Sequence, residues 1–484
     1  MEVKDLKPQA VFEIFDQITK IPRPSKKEEK IRQFILDFAK AHGIEAMADK
    51  AGNVILRKPA SKGHENAPTT ILQGHMDMVC ESDHPGFDFE HNPIETLVEG
   101  EWVRAKGTTL GADNGIGVAG ALAVMTDPDL VHGPLEALFT VDEETGMTGA
   151  NNLEKGELTG SILINLDSED DAEVFVGCAG GLDTVATFKY NRSFAPNDFH
   201  YFLMDVRDGL GGHSGGDIHL GRANANKLVA RFLFNLMKKH EVVICEIDGG
   251  NLRNAIPRAA HVLFGVHTSR KEEVRIAFNN YVADIEKEYK GLETSLKLNL
   301  ESADRPEFTV DETTGRNLIL SLYCAPHGVI SMSRDLEGLV ETSTNLASVK
   351  MKADSQIVVT TSQRSSVDSR KIDIANQVEA VFTLAGATVE HGEGYPAWTP
   401  NLDSPIMKIA SDAYEELYGV RPAIKAIHAG LECSLFQQNY PGLDMVSFGP
   451  TLKDVHSPSE RMHIPAVERF WGQLRRTIEK VAGK

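Results

Sequence analysis

Five separate segments of this chain each place an acid or a histidine where an apolar run ends. The runs are short and rich in β-branched residues, as in ILQGH, LFTVDEE and ILINLD. Stretches with helical spacing lie between them, and this alternation is typical of an α/β sheet covered by helices on both faces. In such sheets ligands bind at the carboxyl ends of the strands. The residues at these ends are His75, Asp77, Asp113, Glu143, Glu144, Asp167 and His456.

Two helices can be predicted from local signals. The S-x-x-E pattern from Ser25 to Glu28 predicts a capping box, and the apolar residues after it keep helical spacing up to Gly43. A second helix is predicted from Gly115 to Met125, in a stretch rich in glycine and alanine. This helix would follow Asp113 directly.

The pattern of elements changes near residue 186 and changes back near residue 394. A chain of 484 residues is too long for one hydrophobic core. Residues 1–185 and 394–484 predict one α/β domain with a mostly parallel central sheet flanked by helices. Residues 186–393 predict an inserted α+β domain made of two βαββαβ-like units.

Charge and cysteine content limit the partners and the compartment. A net charge of −20 argues against nucleic acid and against an anionic membrane as partners. No apolar run approaches the roughly 20 residues of a membrane span. The five cysteines are dispersed and lack C-x-x-C spacing, and the N-terminal segment lacks the features of a signal peptide. We therefore expect a reduced protein in the cytoplasm.

The residues at the strand ends suit a metal site. Histidine, aspartate and glutamate together favour zinc, cobalt or manganese. His75 and Asp77 fall on one face of a strand, so His75 can bind an ion through one ring nitrogen while Asp77 orients the ring. The carboxylate of Asp113, flanked by glycines, could bridge two ions, or it could form an Asx turn that caps the helix at Asn114.

The remaining candidates also have two interpretations each. Glu143 and Glu144 are adjacent acids that repel each other unless a cation is near, but they could equally form a solvated turn. Asp167 follows a strand that is apolar throughout, and His456 lies far away in the sequence, in HSPSE. Five such segments together favour a site for two divalent ions over a chance distribution of surface charges.

The motifs carry a resemblance to a known family. HMD, GADNGIG, DEETGM, NLDSE, GGHSG and HSPSE, with the longer blocks GCAGGLD, NLRNAIPR and IHAGLEC, resemble the M20 family of metallopeptidases nearly from end to end. This resemblance implies two zinc ions, which cobalt or manganese can replace, and a cis peptide bond between Asp113 and Asn114. It also implies that the α/β domain is catalytic and that the inserted domain is a lid. The implied roles are a bridging Asp113, His75 and Asp167 on one ion, Glu144 and His456 on the other, Asp77 orienting His75, and Glu143 as general acid and base.

The same resemblance implies a substrate and an assembly. It implies hydrolysis of dipeptides with broad specificity, including Xaa-His dipeptides and β-Ala-His. His213 would stabilise the oxyanion, reaching the active site from the partner subunit in a homodimer formed through the lid domain. A dipeptidase must also bind a free carboxylate, for which Arg364 is the main candidate because arginine binds carboxylates through two hydrogen bonds. Asn254 and the backbone at Gly430 are further candidates.

Three alternatives remain open from the sequence. An N-acyl amino acid deacylase or a carboxypeptidase of the same fold would share the metals and the base. A non-catalytic peptide-binding protein is disfavoured by the intact Glu143. An unrelated α/β protein with these acids on its surface would bind no divalent ion.

Overall fold

A computed structural model describes residues 2–483, and these form two compact units. Among the described residues, the first unit comprises residues 2–177, 398–426 and 431–483, and the second comprises residues 178–397 and 427–430. The sequence-based bounds at 186 and 393 stay a prediction. Within residues 2–483 no helix combines the length and the apolar character needed to cross a membrane.

The first unit is built around an eight-stranded sheet. Its strands, in spatial order, are Glu45–Ala48, Val54–Lys58, Leu135–Thr140, Thr70–His75, Ile162–Asn165, Asp444–Ser447, Glu173–Cys178 and Ala423–Ile427. The four central strands, from Leu135–Thr140 to Asp444–Ser447, run parallel, and the neighbours on either side of these four run antiparallel to them. The predicted α/β class is confirmed, with the parallel part confined to the centre.

Helices supply the rest of the first unit. They are Gln9–Ile18, Glu29–Ala41, Ala112–Thr126, Glu143–Gly146, Thr148–Asn151, Pro405–Tyr418, Cys433–Asn439 and Ile464–Val481, with a short turn of helix at Val3–Asp5. A small sheet contains the strands Leu452–Lys453, Arg461–His463, Trp102–Ala105 and Thr96–Glu99. The helix Ala112–Thr126 is buried along almost its whole length, which explains its small residues.

The second unit contains one large sheet. Its strands, in spatial order, are Lys297–Ala303, Phe199–Arg207, Ala260–His267, Val242–Gly249, Val340–Lys352, Gln356–Ser365, Gly180–Lys189 and Thr388–His391, and Gly328–Met332 also pairs with Val340–Lys352. A separate two-stranded sheet pairs Arg192–Phe194 with Phe308–Val310. The helices are Ala225–Met237, Lys271–Glu288, Glu312–Cys324 and Asp368–Leu384, with short turns of helix at Ile218–Leu220 and Thr268–Arg270.

Two βαββαβ units share this sheet, as the sequence predicts. The first runs from Phe199 to Ala303 without interruption. The second βαββαβ unit begins with the strand Gly180–Lys189 and continues only at Glu312. The first βαββαβ unit is therefore inserted after the opening strand of the second βαββαβ unit. Within the sheet, the two βαββαβ units join where Asp248 and Gly249 of one pair with Lys350 and Val349 of the other.

The predicted capping box at the start of helix Glu29–Ala41 is wrong. Ser25 Oγ donates instead to Asp77 Oδ2 at 2.7 Å. The Glu28 carboxylate accepts the backbone N–H groups of Lys26 and of Asp142, at 2.8 and 2.9 Å. Both side chains therefore bind the residues around the carboxyl ends of the strands rather than their own helix.

Candidate metal centre

Parallel strands bring the predicted residues to one edge of the sheet. His75, the last residue of its strand, pairs with Thr140, and Gln73 of the same strand pairs with Asn165. Glu143 and Glu144 follow shortly after Thr140, and Asp167 follows Asn165 by two residues. Register alone therefore aligns three of the ligand-bearing segments.

His75 is almost fully buried and its two ring nitrogens face different groups. Nε2 lies 3.1 Å from Asp113 Oδ1 and 3.3 Å from Asp167 Oδ1. Nδ1 lies 3.3 Å from Asp77 Oδ1. A neutral ring with its proton on Nδ1, directed at Asp77, leaves Nε2 available to a cation.

Asp113 stands between two histidines. Its Oδ1 faces His75, while its Oδ2 lies 3.0 Å from His456 Nε2. The same His456 nitrogen lies 3.2 Å from Glu144 Oε2. Potential ligand atoms therefore lie within 4.8 Å of one another in two groups that share Asp113: His75, Asp113 and Asp167, and Asp113, Glu144 and His456. A third group, whose ligand atoms also lie within 4.8 Å of one another, contains His75, Glu143 and Glu144.

The surroundings of these carboxylates fit two divalent cations. Within residues 2–483, Glu144 Oε1 and Asp167 Oδ1 are buried and make no hydrogen bond. Burial raises the pKa of Asp167 to about 8, and the hydrogen bond to Asp113 raises the pKa of His456 to about 11. Buried carboxylates without donors are costly unless a cation or a proton neutralises them. Each group contains one histidine and two carboxylates, which is a donor set that zinc accepts.

Asp77 also makes contacts that the sequence did not predict. Besides facing His75, its Oδ1 accepts the backbone N–H of Glu143 at 3.1 Å and its Oδ2 accepts that of Glu144 at 3.2 Å. One carboxylate therefore lies beside the histidine of one group and binds the backbone of the adjacent acidic pair. This contact joins positions 66 and 67 residues apart, which local sequence patterns do not reveal.

The backbone around Asp113 is unusual in two respects. The peptide bond between Asp113 and Asn114 is cis, as the resemblance implied, and both residues have non-helical dihedral angles at the start of their helix. Asn114 Nδ2 donates to the carbonyl of Leu166 at 2.7 Å. A Cβ atom at Gly74 or Gly117 would come within 2.3 or 2.5 Å of Asn114 Oδ1, so these two glycines provide the space for the amide.

The other predicted residues lie in the second unit. Arg364 is 8% exposed, and its Nη1 donates to the Tyr395 hydroxyl at 2.9 Å. A Cβ atom at Gly430 would lie 2.9 Å from the same tyrosine ring. The Asn254 carbonyl accepts the N–H of Ser214 at 2.8 Å, which places Asn254 beside His213. These residues thus form two neighbourhoods, one around Tyr395 and one around His213.

Sequence reasoning missed His428, which is 6% exposed. Its Nε2 lies 2.7 Å from Ser343 Oγ. In the described part of the chain its Nδ1 has no hydrogen-bond partner, and neither has Nε of Arg364. Burial, reinforced by the charge of Arg364, lowers the pKa of His428 to about 3. The signal was present, because IHAGLEC contains His428 as well as Gly430.

Among the buried charged residues of the first unit, sequence reasoning also missed Arg23, Glu432 and Glu460. Glu432 Oε2 accepts hydrogen bonds from Gln73 Nε2 at 2.5 Å and from Thr140 Oγ1 at 2.8 Å. Its burial raises its pKa to about 7. Glu432 and Glu460 stand inside the quoted motifs IHAGLEC and HSPSE, but a motif does not say which of its acids is buried.

Known proteins resemble this chain over nearly its whole length. The profile of Peptidase family M20/M25/M40 matches residues 71–480. The cytosol non-specific dipeptidase of Escherichia coli (strain K12) is 40% identical over 484 residues, which is 100% of both chains. The crystal structure of aminoacylhistidine dipeptidase from Vibrio alginolyticus is 42% identical with a TM-score of 0.91, covering 99% of this chain and 98% of that one. A tripeptidase from Staphylococcus aureus, 16% identical with a TM-score of 0.58 over 99% of this chain and 100% of its own, is similar in fold alone.

Proposed function

Because this chain belongs to peptidase family M20/M25/M40 and is a peptide hydrolase, we propose that it hydrolyses dipeptides with the help of two divalent metal ions. One observation carries the proposal: the two oxygens of Asp113 face His75 and His456, so that one carboxylate belongs to two ligand groups. Zinc is the proposed metal, with cobalt or manganese as substitutes. The names of the dipeptidases from Escherichia coli and Vibrio alginolyticus support broad specificity that includes Xaa-His dipeptides, and a cytoplasmic location.

Each residue of the centre receives one role in this proposal. His75, Asp113 and Asp167 would hold one ion, and Asp113, Glu144 and His456 would hold the other. Asp77 would keep the proton on Nδ1 of His75 and hold the backbone of the acidic pair. Two bound ions would supply polarisation of the scissile carbonyl and a lowered pKa of the attacking water.

Glu143 is the proposed general base. It lies next to Glu144 in sequence, but the group that holds His456 contains Glu144 and not Glu143. Burial, reinforced by the charge of Asp167, raises the pKa of Glu143 well above its ordinary range. A carboxylate of high basicity at this position can take a proton from water and then return it to the leaving amine.

The second unit is proposed to supply substrate recognition. The free Nε of Arg364 is a donor suited to the α-carboxylate of the dipeptide, with Asn254 and the Gly430 backbone as further ligands. His213 is proposed to stabilise the oxyanion, and the burial that lowers its pKa keeps it neutral near pH 7, as a neutral N–H donor. A homodimer formed through residues 186–393 completes the proposal.

A panel of substrates tests this function. Protein loaded with zinc or with cobalt is assayed on dipeptides, including Xaa-His and β-Ala-His, and on N-acetyl amino acids and tripeptides. We expect turnover of dipeptides and much slower turnover of the others, because the substrate carboxylate would be bound at a fixed distance from the metals. Faster turnover of N-acetyl amino acids would show a deacylase instead.

A further inference from the structure

Two charged side chains beside the metal centre are buried but are not ligands. Arg23 and Glu460 are each only 2% exposed. A buried charge is costly unless hydrogen bonds satisfy it. The hydrogen-bond partners of these two side chains lie in the segments that carry the proposed ligands.

Glu460 binds the backbone that leads into Asp113. Its carboxylate accepts four N–H groups, those of Leu110, Gly111, Ala112 and Asp113, at 2.7, 3.0, 2.8 and 3.4 Å. Glu460 follows His456 by only four residues, and its own N–H donates to the Ser457 carbonyl at 3.0 Å. One side chain thus ties the loop of His456 to the segment of Asp113, more than 340 residues away.

Arg23 also binds this segment, through the carbonyl of Gly111. Its Nη1 donates to the carbonyls of Met76 and Asp77 at 2.9 and 2.7 Å, and its Nη2 donates to the carbonyl of Gly111. Gly111 has a φ of +68°, and a Cβ atom there would lie 2.4 Å from Nη2. A Cβ atom at Gly115 would lie 2.8 Å from the same nitrogen. The guanidinium therefore fills space that these two glycines leave open.

We infer that Arg23 and Glu460 are positioning residues for the metal centre. Together they join three segments, those that carry His75 and Asp77, Asp113, and His456. Ligands from distant parts of a chain bind two ions well only if their spacing is fixed before the ions arrive. The inference rests on the proposed function, since it concerns how tightly the proposed ions are bound.

Charge alone would act differently from positioning. Removing the negative charge of Glu460 weakens cation binding by either route, so this variant alone does not separate them. Arg23 separates them, because Arg23→Lys keeps the positive charge and loses the geometry that reaches three carbonyls. Positioning predicts weaker metal binding in Arg23→Lys, whereas charge alone predicts no change.

Glu136 provides a matched control. It too is 2% exposed, and its carboxylate accepts the N–H groups of Thr159 and Gly160 at 2.9 and 3.0 Å. It lies at the amino end of the strand Leu135–Thr140, whereas the metal ligands follow the carboxyl ends. Glu136→Gln therefore perturbs a similar buried carboxylate of the same unit away from the ligands.

The test measures metal binding directly, apart from activity. Metal-free Glu460→Gln, Arg23→Lys, Glu136→Gln and parent protein are titrated with Co²⁺, following the visible absorption of the bound ion, and the thermal unfolding of each metal-free form is recorded. We expect Glu460→Gln and Arg23→Lys each to weaken Co²⁺ binding by about 10- to 100-fold. Glu136→Gln should bind Co²⁺ as the parent does, whatever its loss of thermal stability.

Three results would overturn the inference: parental affinity in both variants, parental affinity in Arg23→Lys alone, or an equal loss in Glu136→Gln. Should Glu460→Gln fail to fold, the milder Arg23→Lys variant decides alone. Failure of the parent protein to bind two ions would refute the proposed function instead, so the two failures are distinguishable.

Discussion

Neighbouring residues of one chemical type can have different roles when their surroundings differ. Glu143 and Glu144 are adjacent, and the backbone of both is held by Asp77. Glu144 Oε2 lies 3.2 Å from His456, whereas the pKa of Glu143 is raised by burial and by the charge of Asp167. The sequence showed two acids and the family resemblance divided their roles. The structure gives the two side chains different surroundings, and the division of their roles stays a prediction.

Replacing Glu143 should separate chemistry from metal binding. We expect Glu143→Ala to lower kcat by about 10²- to 10⁴-fold, the usual contribution of a general base, and to retain the metal content of the parent. Glu144→Ala, its matched neighbour, should lose metal as well as activity. Elemental analysis and steady-state kinetics provide the two readouts. Full activity of Glu143→Ala would contradict both the assignment of Glu143 as general base and the proposed mechanism.

Arg364 should affect substrate binding more than chemistry. We expect Arg364→Ala to raise KM for dipeptides by about 10- to 100-fold, because a hydrogen bond to a charged group contributes roughly 1.5–3 kcal/mol. Dipeptide amides, which lack the carboxylate, serve as the control and should be affected little. An equal rise in KM for both substrates would assign Arg364 a structural role.

At the scale of the element, local patterns were informative and long-range contacts were not. The helix predicted after Asp113 and the βαββαβ order were correct because both follow from periodicity within a short window. The capping box failed because Ser25 and Glu28 bond to Asp77 and Asp142, which are 52 and 114 residues away. Local statistics contain no trace of such partners.

The strand Val340–Lys352 changes its partner strand along its length. Between the two partner strands, side chains form hydrogen bonds to its backbone N–H and carbonyl groups. Gly328–Met332 pairs with its first half, and Val242–Gly249 pairs near Val349. Between them, the N–H of Leu346 donates to His327 Nδ1 at 3.3 Å, and the Leu346 carbonyl accepts from Asn224 Nδ2 at 2.9 Å. His327 must be unprotonated at Nδ1 to accept, and burial lowers its pKa to about 4.

Stability of the second unit should therefore fall in acid. Between pH 6.5 and 4 the unfolded chain binds a proton at His327 and the folded chain does not, so stability decreases as pH falls through this window. From pH 7 to pH 5 the contribution of His327 to this loss should be about 1–2 kcal/mol. Urea unfolding at both pH values checks this. The loss of stability should be smaller in His327→Asn, because the amide oxygen of asparagine also accepts a hydrogen bond but does not titrate. An unchanged loss in this variant would show that other groups cause the pH dependence.

At the scale of the whole molecule, the chain leaves the first unit near residue 177 and returns near residue 398. The sequence indicated an insertion because the order of elements changes and later resumes. It did not indicate that the strand Gly180–Lys189 pairs with Gln356–Ser365 of the second unit, since this pairing spans more than 160 residues. Topology of this kind is set by packing rather than by local preference.

Metal removal should destabilise the first unit selectively. All proposed ligands lie in that unit, and so do the three tryptophans, Trp102, Trp398 and Trp471. A ligand that binds only the folded state at 1,000 times its Kd stabilises that state by about 4 kcal/mol. Chelation should therefore lower the unfolding temperature followed by tryptophan fluorescence and abolish activity, and added zinc should restore both. An unfolding temperature insensitive to chelation would contradict a structural role of the metals.

The central claim is that two ions share Asp113. The most direct test is to count the ions that the parent and three single variants bind. Elemental analysis of protein dialysed against limiting free zinc should find two ions in the parent. Asp167→Ala and His456→Ala should each retain about one ion, and Asp113→Ala should retain close to none. Two ions in Asp113→Ala, or fewer than two in the parent, would contradict the shared carboxylate and with it the proposed centre.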